Sequence, residues 1–245
     1  SILSFIAALA TKEQGIFAIL LIPLYEILIR RARLKDLFSK NFFIIIIIYA
    51  ITIVSYFFVR YLVFGSVFGG EKYFTVDSFL QRIVAAPIII GTYLQLVIVP
   101  YNLNLVHNVK VPGSMLDISF LSGLSIVIMV LILIIIFWKK YPVLVFGLTW
   151  LFLFILPSSN IIPIPIPLLE HRLYLPMIGF AICISALLHQ FTNMSRFKKI
   201  IHYFATLTIV LYGLLSFIRL PVWASTETIW NDAIKCNPDN DLTYY

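Results

Sequence analysis

Apolar residues run along this chain in long, nearly unbroken blocks, so the hydrophobic pattern has neither the strict alternation of a half-buried strand nor the narrow stripe of a surface helix. Blocks at 42–64, 118–138, 143–157, 174–188 and 200–220 approach the roughly 20 residues that a helix needs to cross a bilayer core. Segment 16–29 is a shorter block of the same kind, and 1–10 reads as a truncated one. A further apolar run, 83–100, contains Pro87, Gly91 and Pro100. Because it is followed by a polar loop, it reads as a re-entrant or interfacial element rather than a simple span. The pattern predicts an all-α, polytopic membrane protein.

Composition agrees and removes the main alternative. Of 245 residues, 61% are apolar and 12% charged, with a mean hydropathy of +1.01. A soluble domain has about 45–50% apolar and about 25% charged residues, and this chain lacks the polar surface to coat a water-soluble particle. Two cysteines, Cys183 and Cys236, make no disulfide framework, and no Cys/His spacing reads as a zinc site. Nothing in the sequence supports a divalent metal, so no metal ligands are assigned.

The net charge of +7 would suit nucleic acid in a soluble protein. Here the cations fall between apolar blocks, at Arg30, Arg31, Arg33, Lys35 and Lys40, then Lys139 and Lys140, then Arg196, Lys198 and Lys199. Such clusters are expected on the cytoplasmic side, and nucleic acid is not an expected partner. Keeping all three clusters there requires 65–117 to cross an even number of times. Loops 65–117 and 158–173 and the tail from 221 then share the non-cytoplasmic side, and region 1–220 is the transmembrane part. The first residue is Ser1, without a signal-peptide pattern, and the last residues fall within an apparent new helix. Both ends read as cut.

Two polar interruptions carry the candidate chemistry. Thr11-Lys12-Glu13-Gln14-Gly15 breaks an apolar stretch. Charges at membrane depth are expensive and tend to mark a functional pair, although a wet turn between two helices explains the same residues. The second runs from Leu156-Pro157-Ser158-Ser159-Asn160 through Pro163, Pro165 and Pro167 to Glu170-His171-Arg172. The prolines forbid a continuous helix and keep the chain extended, delivering an acid, an imidazole and a guanidinium to the start of the next block. Arginine is suited to holding a phosphate by two bonds at once. The bland reading makes these interfacial anchors, helped by Tyr174. His107, His171, His189 and His202 are scattered. The Asn193-Met194-Ser195 sequon falls in a segment expected to be cytoplasmic.

Past Trp223 the composition turns polar. Trp230, Ala233 and Pro238 have the spacing of the large residue, small residue and terminal proline in the second helix of a tetratricopeptide repeat. Residues 221–245 read as the beginning of a non-cytoplasmic repeat domain.

Together these residues resemble the membrane-embedded transmembrane and tetratricopeptide-repeat O-mannosyltransferases and their prokaryotic relatives, which are GT-C type glycosyltransferases. Lys12-Glu13-Gln14-Gly15 is similar to the family's Lys-Glu-Gln-Gly motif. Val59-Arg60-Tyr61 through Gly65 resembles its central luminal segment. The most specific match is Leu156-Pro157-Ser158-Ser159-Asn160 followed by Glu170-His171-Arg172-Leu173-Tyr174-Leu175-Pro176-Met177-Ile178-Gly179-Phe180. It resembles Leu-Pro-Ala-Ser-Asn and Glu-Arg-x-Leu-Tyr-Leu-Pro-Ser-x-Gly-Phe, with His171 a departure that displaces Glu170 by one position. The resemblance implies a GT-C-like fold and a polyprenyl-phosphate-linked sugar as donor. It further implies transfer of a hexose such as mannose to a protein hydroxyl, with an acceptor protein held by the repeats. It places the catalytic carboxylate in a loop preceding Ser1. Arg172, then Lys12, are the residues expected to hold the lipid phosphate, with Glu170, Glu13 and His171 orienting them or the acceptor. The membrane is the plasma membrane in a prokaryote or the endoplasmic reticulum in a eukaryote; isoleucine-rich runs such as Ile44 to Ile48 favour the former. Two other functions fit the same sequence. One is a non-catalytic anchor displaying repeats, and the other is a polymerase or ligase of lipid-linked polysaccharide.

Overall fold

The computed structural model of the chain describes residues 2–65, 78–101, 103–107, 115–162, 164, 166, 168–192 and 198–236. Among them are nine α-helices: α1 (Ile2–Thr11), α2 (Ala18–Leu28), α3 (Lys40–Phe64), α4 (Phe79–Ile98), α5 (Ile118–Phe137), α6 (Pro142–Ile155), α7 (Tyr174–Thr192), α8 (Lys198–Arg219) and α9 (Thr226–Cys236). The only strand-like pairing among the described residues is a single antiparallel bridge between Val106 and Leu169. Among the described residues five helical stretches are long and apolar enough to cross a membrane: Lys40–Phe64, Phe79–Ile98, Ile118–Phe137, Glu170–Phe191 and Lys198–Trp223. This is the architecture of a multi-pass integral membrane protein.

Helix ends follow local chemistry. The Ser39 and Ser78 hydroxyls accept from the Phe42 and Gln81 amides at 3.4 and 3.1 Å, each satisfying one of the donors a helix N-terminus leaves open. At α5 the cap is Asp117, whose carboxylate accepts the Ser119 amide at 2.8 Å. The Ser119 hydroxyl and amide hold this carboxyl below its usual range. Pro142 occupies the first turn of α6, where its missing N–H is not needed. Gly65 ends α3 at φ 69°, in the left-handed region that glycine enters without penalty.

Segment 83–100, expected as a re-entrant or interfacial element, falls largely within a helix that is long and apolar enough to cross a membrane. Residues Phe79–Ile98 form one continuous helix with Pro87 inside it. Helices in a bundle tolerate proline because neighbouring groups compensate for the lost bond. Gly91 and Gly123 explain how α4 is held. A Cβ on Gly123 would lie 2.5 Å from the Pro87 carbonyl oxygen, and one on Gly91 would lie 3.0 Å from the Gly123 Cα. The residues read as breaks are therefore where α4 and α5 approach closely, as small residues allow in membrane bundles. The charge argument required an even number of crossings in 65–117, and α4 adds a candidate one. Residues 66–77, which join it to α3, lie outside the described residues.

The core collects on α4. Ala85, Ile89, Ile90, Tyr93, Leu94 and Val97 are buried against Val130 of α5, Leu151 and Ile155 of α6, and Leu168. Helices α6 and α7 form the tightest pair and run antiparallel, because Trp150 Nε1 donates to the Leu175 carbonyl at 2.9 Å while Cys183 lies on Leu144. Helix α2 also runs antiparallel to α6, with Gln14 at Ser158 and the Tyr25 ring on Phe146. One end of the bundle thus gathers the Lys12 turn, residues 156–158 and the start of α7. The other end gathers the 138–141 turn, carrying Lys139 and Lys140, and the last turns of α7. Helices α3 and α8 have no buried residue; their apolar side chains face outward, as lipid-facing helices do.

Candidate functional site

The end of the bundle carrying Lys12 is assembled from three segments. Helix α1 stops at Thr11, and Lys12 takes an extended conformation, φ −160° and ψ 135°. The chain then turns tightly enough that a Cβ on Gly15 would lie 3.1 Å from the Ala8 carbonyl carbon. This turn carries the Lys12 ammonium to 5.1 Å from the centre of the Tyr174 ring, a cation–π distance. Gln14 Nε2 donates to the Ser158 hydroxyl at 3.3 Å. Glu13 opens the 310 turn Glu13–Phe17, and its side chain lies outside the described residues.

The second segment is the end of α6. The Ser159 hydroxyl donates to the Leu156 carbonyl at 2.7 Å. Asn160 adopts φ 64°, a conformation asparagine tolerates better than most residues, and its Oδ1 accepts the Ile164 amide at 3.1 Å. Ser158, Ser159 and Asn160 are all buried. This part of the motif builds the loop. Pro163, Pro165 and Pro167 lie outside the described residues.

The third segment is the 310 turn Glu170–Leu173 that opens α7. It is fastened from below by Tyr93, whose hydroxyl accepts the Leu169 amide at 2.9 Å and lies 3.2 Å from the Leu169 carbonyl. Segment 103–107 fastens it from the side: Val106 bridges to Leu169, and the His107 amide donates to the Leu168 carbonyl at 3.2 Å. In a turn of about three residues per revolution, neighbours two apart point in different directions, and the functional side chains separate accordingly. The Glu170 carboxylate accepts from the Asn104 amide. It also meets His107 Nε2 at 2.9 Å, with the two side chains only 11% and 13% exposed. Arg172 turns the other way, donating to the Ile166 carbonyl and interacting with the Tyr93 hydroxyl. His171 is exposed and lies within electrostatic reach of both Lys12 and Arg172.

Lys12, His171 and Arg172 are therefore brought within electrostatic reach of one another from segments distant in the chain. Glu170 stands beside them but is directed at the 103–107 segment, where it orients His107 and Asn104. The cationic side suits an anion, since a guanidinium offers a planar fork of donors and an ammonium a compact point charge. Among the described residues no group of three His, Cys, Asp or Glu side chains gathers that could hold a metal ion.

Searches of family models, curated proteins and solved structures find no match to this chain. The O-mannosyltransferase resemblance rests on the quoted residues alone.

Sequence reasoning missed Tyr93 and Asn104 as parts of this site, gave Gln14 no role beyond its place in the Lys12-Glu13-Gln14-Gly15 motif, and treated His107 as one of several scattered interfacial residues. Tyr93 looks like an aromatic in an apolar helix, and its partner Leu169 is 76 residues away. His107 and Glu170 are 63 residues apart. The one available signal was that Gln14 and Ser158 each stand in a short polar interruption between apolar blocks.

Proposed function

We propose that the Lys12, His171 and Arg172 end of the bundle binds the phosphate of a polyprenyl-phosphate-linked sugar. On this reading the chain is the membrane part of a glycosyltransferase, passing a hexose such as mannose to a Ser or Thr hydroxyl of a protein on the non-cytoplasmic side. The observation that carries the proposal is the convergence of two cations, Lys12 and Arg172, from distant segments around His171. The prenyl chain would lie along the apolar helix surfaces that surround the site.

The chemistry follows from charge. When the sugar leaves its carrier, the bond from C1 to the phosphate oxygen breaks and negative charge grows on the phosphate. Fixed cations at that oxygen stabilise the transition state more than the ground state. Arg172 is held by the Ile166 carbonyl and Tyr93, so its orientation is set before the donor arrives. Glu170 and His107 hold the 103–107 segment against the site and keep a carboxylate close to the cations.

The test is sugar transfer from a polyprenyl-phosphate hexose by the full-length protein. Arg172→Ala is expected to lower turnover or donor affinity by about 10- to 100-fold, as removing a charge-assisted bond does, with Arg172→Lys recovering part of it. Unchanged transfer in Arg172→Ala overturns the proposal. A polymerase or ligase of lipid-linked polysaccharide would need the same phosphate grip, and it is told apart by its acceptor, a glycan in place of a protein. A membrane-anchored repeat scaffold finds support in α9, where Ala233 is fully buried and Asp232 pairs with Arg219 at 2.7 Å. A scaffold would bind a partner protein and transfer no sugar.

A further inference from the structure

A second site lies at the opposite end of the bundle from Arg172. The turn between α5 and α6 and the last turns of α7 enclose a half-open cavity of about 690 Å³, within the range that small ligands occupy. Its walls are mostly apolar, supplied by Phe137, Val143 and Leu144 on one side and Leu187 and Phe191 on the other, with His189 also in the lining. Lys140 stands at its edge, exposed, with its ammonium 5.1 Å from the Tyr141 ring centre. Lys139 is adjacent, and Gln190 adds a further polar group to the lining.

An apolar concavity open to its surroundings is poorly filled by water. Helices α5 and α7 reach their ends here, so in a bilayer the cavity sits where acyl chains meet headgroups. Basic pockets between helices at such ends take anionic headgroups, and a lysine on a flexible stem reaches the headgroup level while its methylenes stay in apolar surroundings. We propose that this cavity binds an anionic glycerophospholipid, with one acyl chain inside it and the phosphate at Lys140. The site is separate from the phosphate grip around Arg172 and does not depend on it.

The experiment uses the full chain reconstituted in vesicles of equal phosphatidylglycerol and phosphatidylcholine, followed by native mass spectrometry of the lipids it retains. The wild type is expected to keep phosphatidylglycerol in preference to phosphatidylcholine. Lys140→Gln is expected to reduce that preference by about five-fold, the effect of one cation near an anionic headgroup. Ser185→Phe, which places a ring in the cavity from an exposed position of α7, is expected to remove retention of both lipids. Equal retention of the two lipids by the wild type, an unchanged preference in Lys140→Gln, or undiminished retention in Ser185→Phe overturns the proposal.

Discussion

Tyr93 is almost completely buried, yet its hydroxyl meets both polar groups of the Leu169 backbone. The hydroxyl is the link between the buried core of α4 and the turn that presents Arg172. Tyr93→Phe keeps the ring and leaves a partly buried amide without its acceptor, which costs about 1–3 kcal/mol. Thermal unfolding in detergent micelles should therefore show a lowered midpoint for Tyr93→Phe, and an unchanged midpoint would refute the role given to the hydroxyl. Glu170 and His107 form the other fastening. A double-mutant cycle of Glu170→Gln and His107→Ala should show coupling beyond the sum of the single changes. Additive effects would mean that the 2.9 Å contact contributes nothing. At this scale the sequence pointed to Lys12, Glu170, His171 and Arg172 through their charge in an apolar setting. It could not reveal Tyr93 or His107, because a tyrosine hydroxyl in an apolar run and a lone histidine acquire meaning only from partners distant in the chain.

At the scale of elements, glycines separate two kinds of helix. Gly179 sits where α7 meets α6, and a Cβ there would lie 2.5 Å from the Leu151 amide nitrogen and 2.6 Å from the Gly147 carbonyl oxygen. Those are rigid backbone atoms, so Gly179→Ala must push the helices apart. Overpacking of this kind costs about 1–3 kcal/mol or more. Gly213 in α8 has no atom within 4 Å of the same position, so Gly213→Ala should leave stability unchanged or raise it by up to about 1 kcal/mol through helix propensity. Thermal denaturation of the two variants side by side tests the contrast, and equal effects would contradict the packing. The long apolar blocks at 42–64, 118–138 and 200–220 were legible as helices because nothing but a helix suits so many apolar residues in lipid. Segment 79–98 was not, because Pro87 and Gly91 mark breaks in an isolated helix and close approach in a packed one. Only the presence of Gly123 opposite decides between them, and no local pattern contains that fact.

For the whole molecule, the division into buried α4 and outward-facing α3 and α8 is what a bilayer requires. Leu62, Val63 and Phe64 of α3, like Ile209, Phe217 and Ile218 of α8, are more than half exposed, and only lipid or another apolar surface suits them. The protein should accordingly stay in the membrane fraction through alkaline carbonate washing and come out only with detergent. Release by carbonate would contradict the multi-pass reading. The sparse charged residues, read as a map in the sequence, divide between two ends of the bundle. Lys12, Glu170, His171 and Arg172 occupy one, and Lys139 and Lys140 occupy the other. The central claim is that Lys12 and Arg172 hold one phosphate together. Its most direct test is equilibrium binding of a polyprenyl-phosphate hexose to the full-length protein in lipid nanodiscs, for the wild type, Lys12→Ala, Arg172→Ala and the double variant. The account predicts that each single change weakens binding by about ten-fold or more and that the double change falls short of the product of the two. Affinity unaltered by either substitution, or single effects that multiply fully, would contradict it.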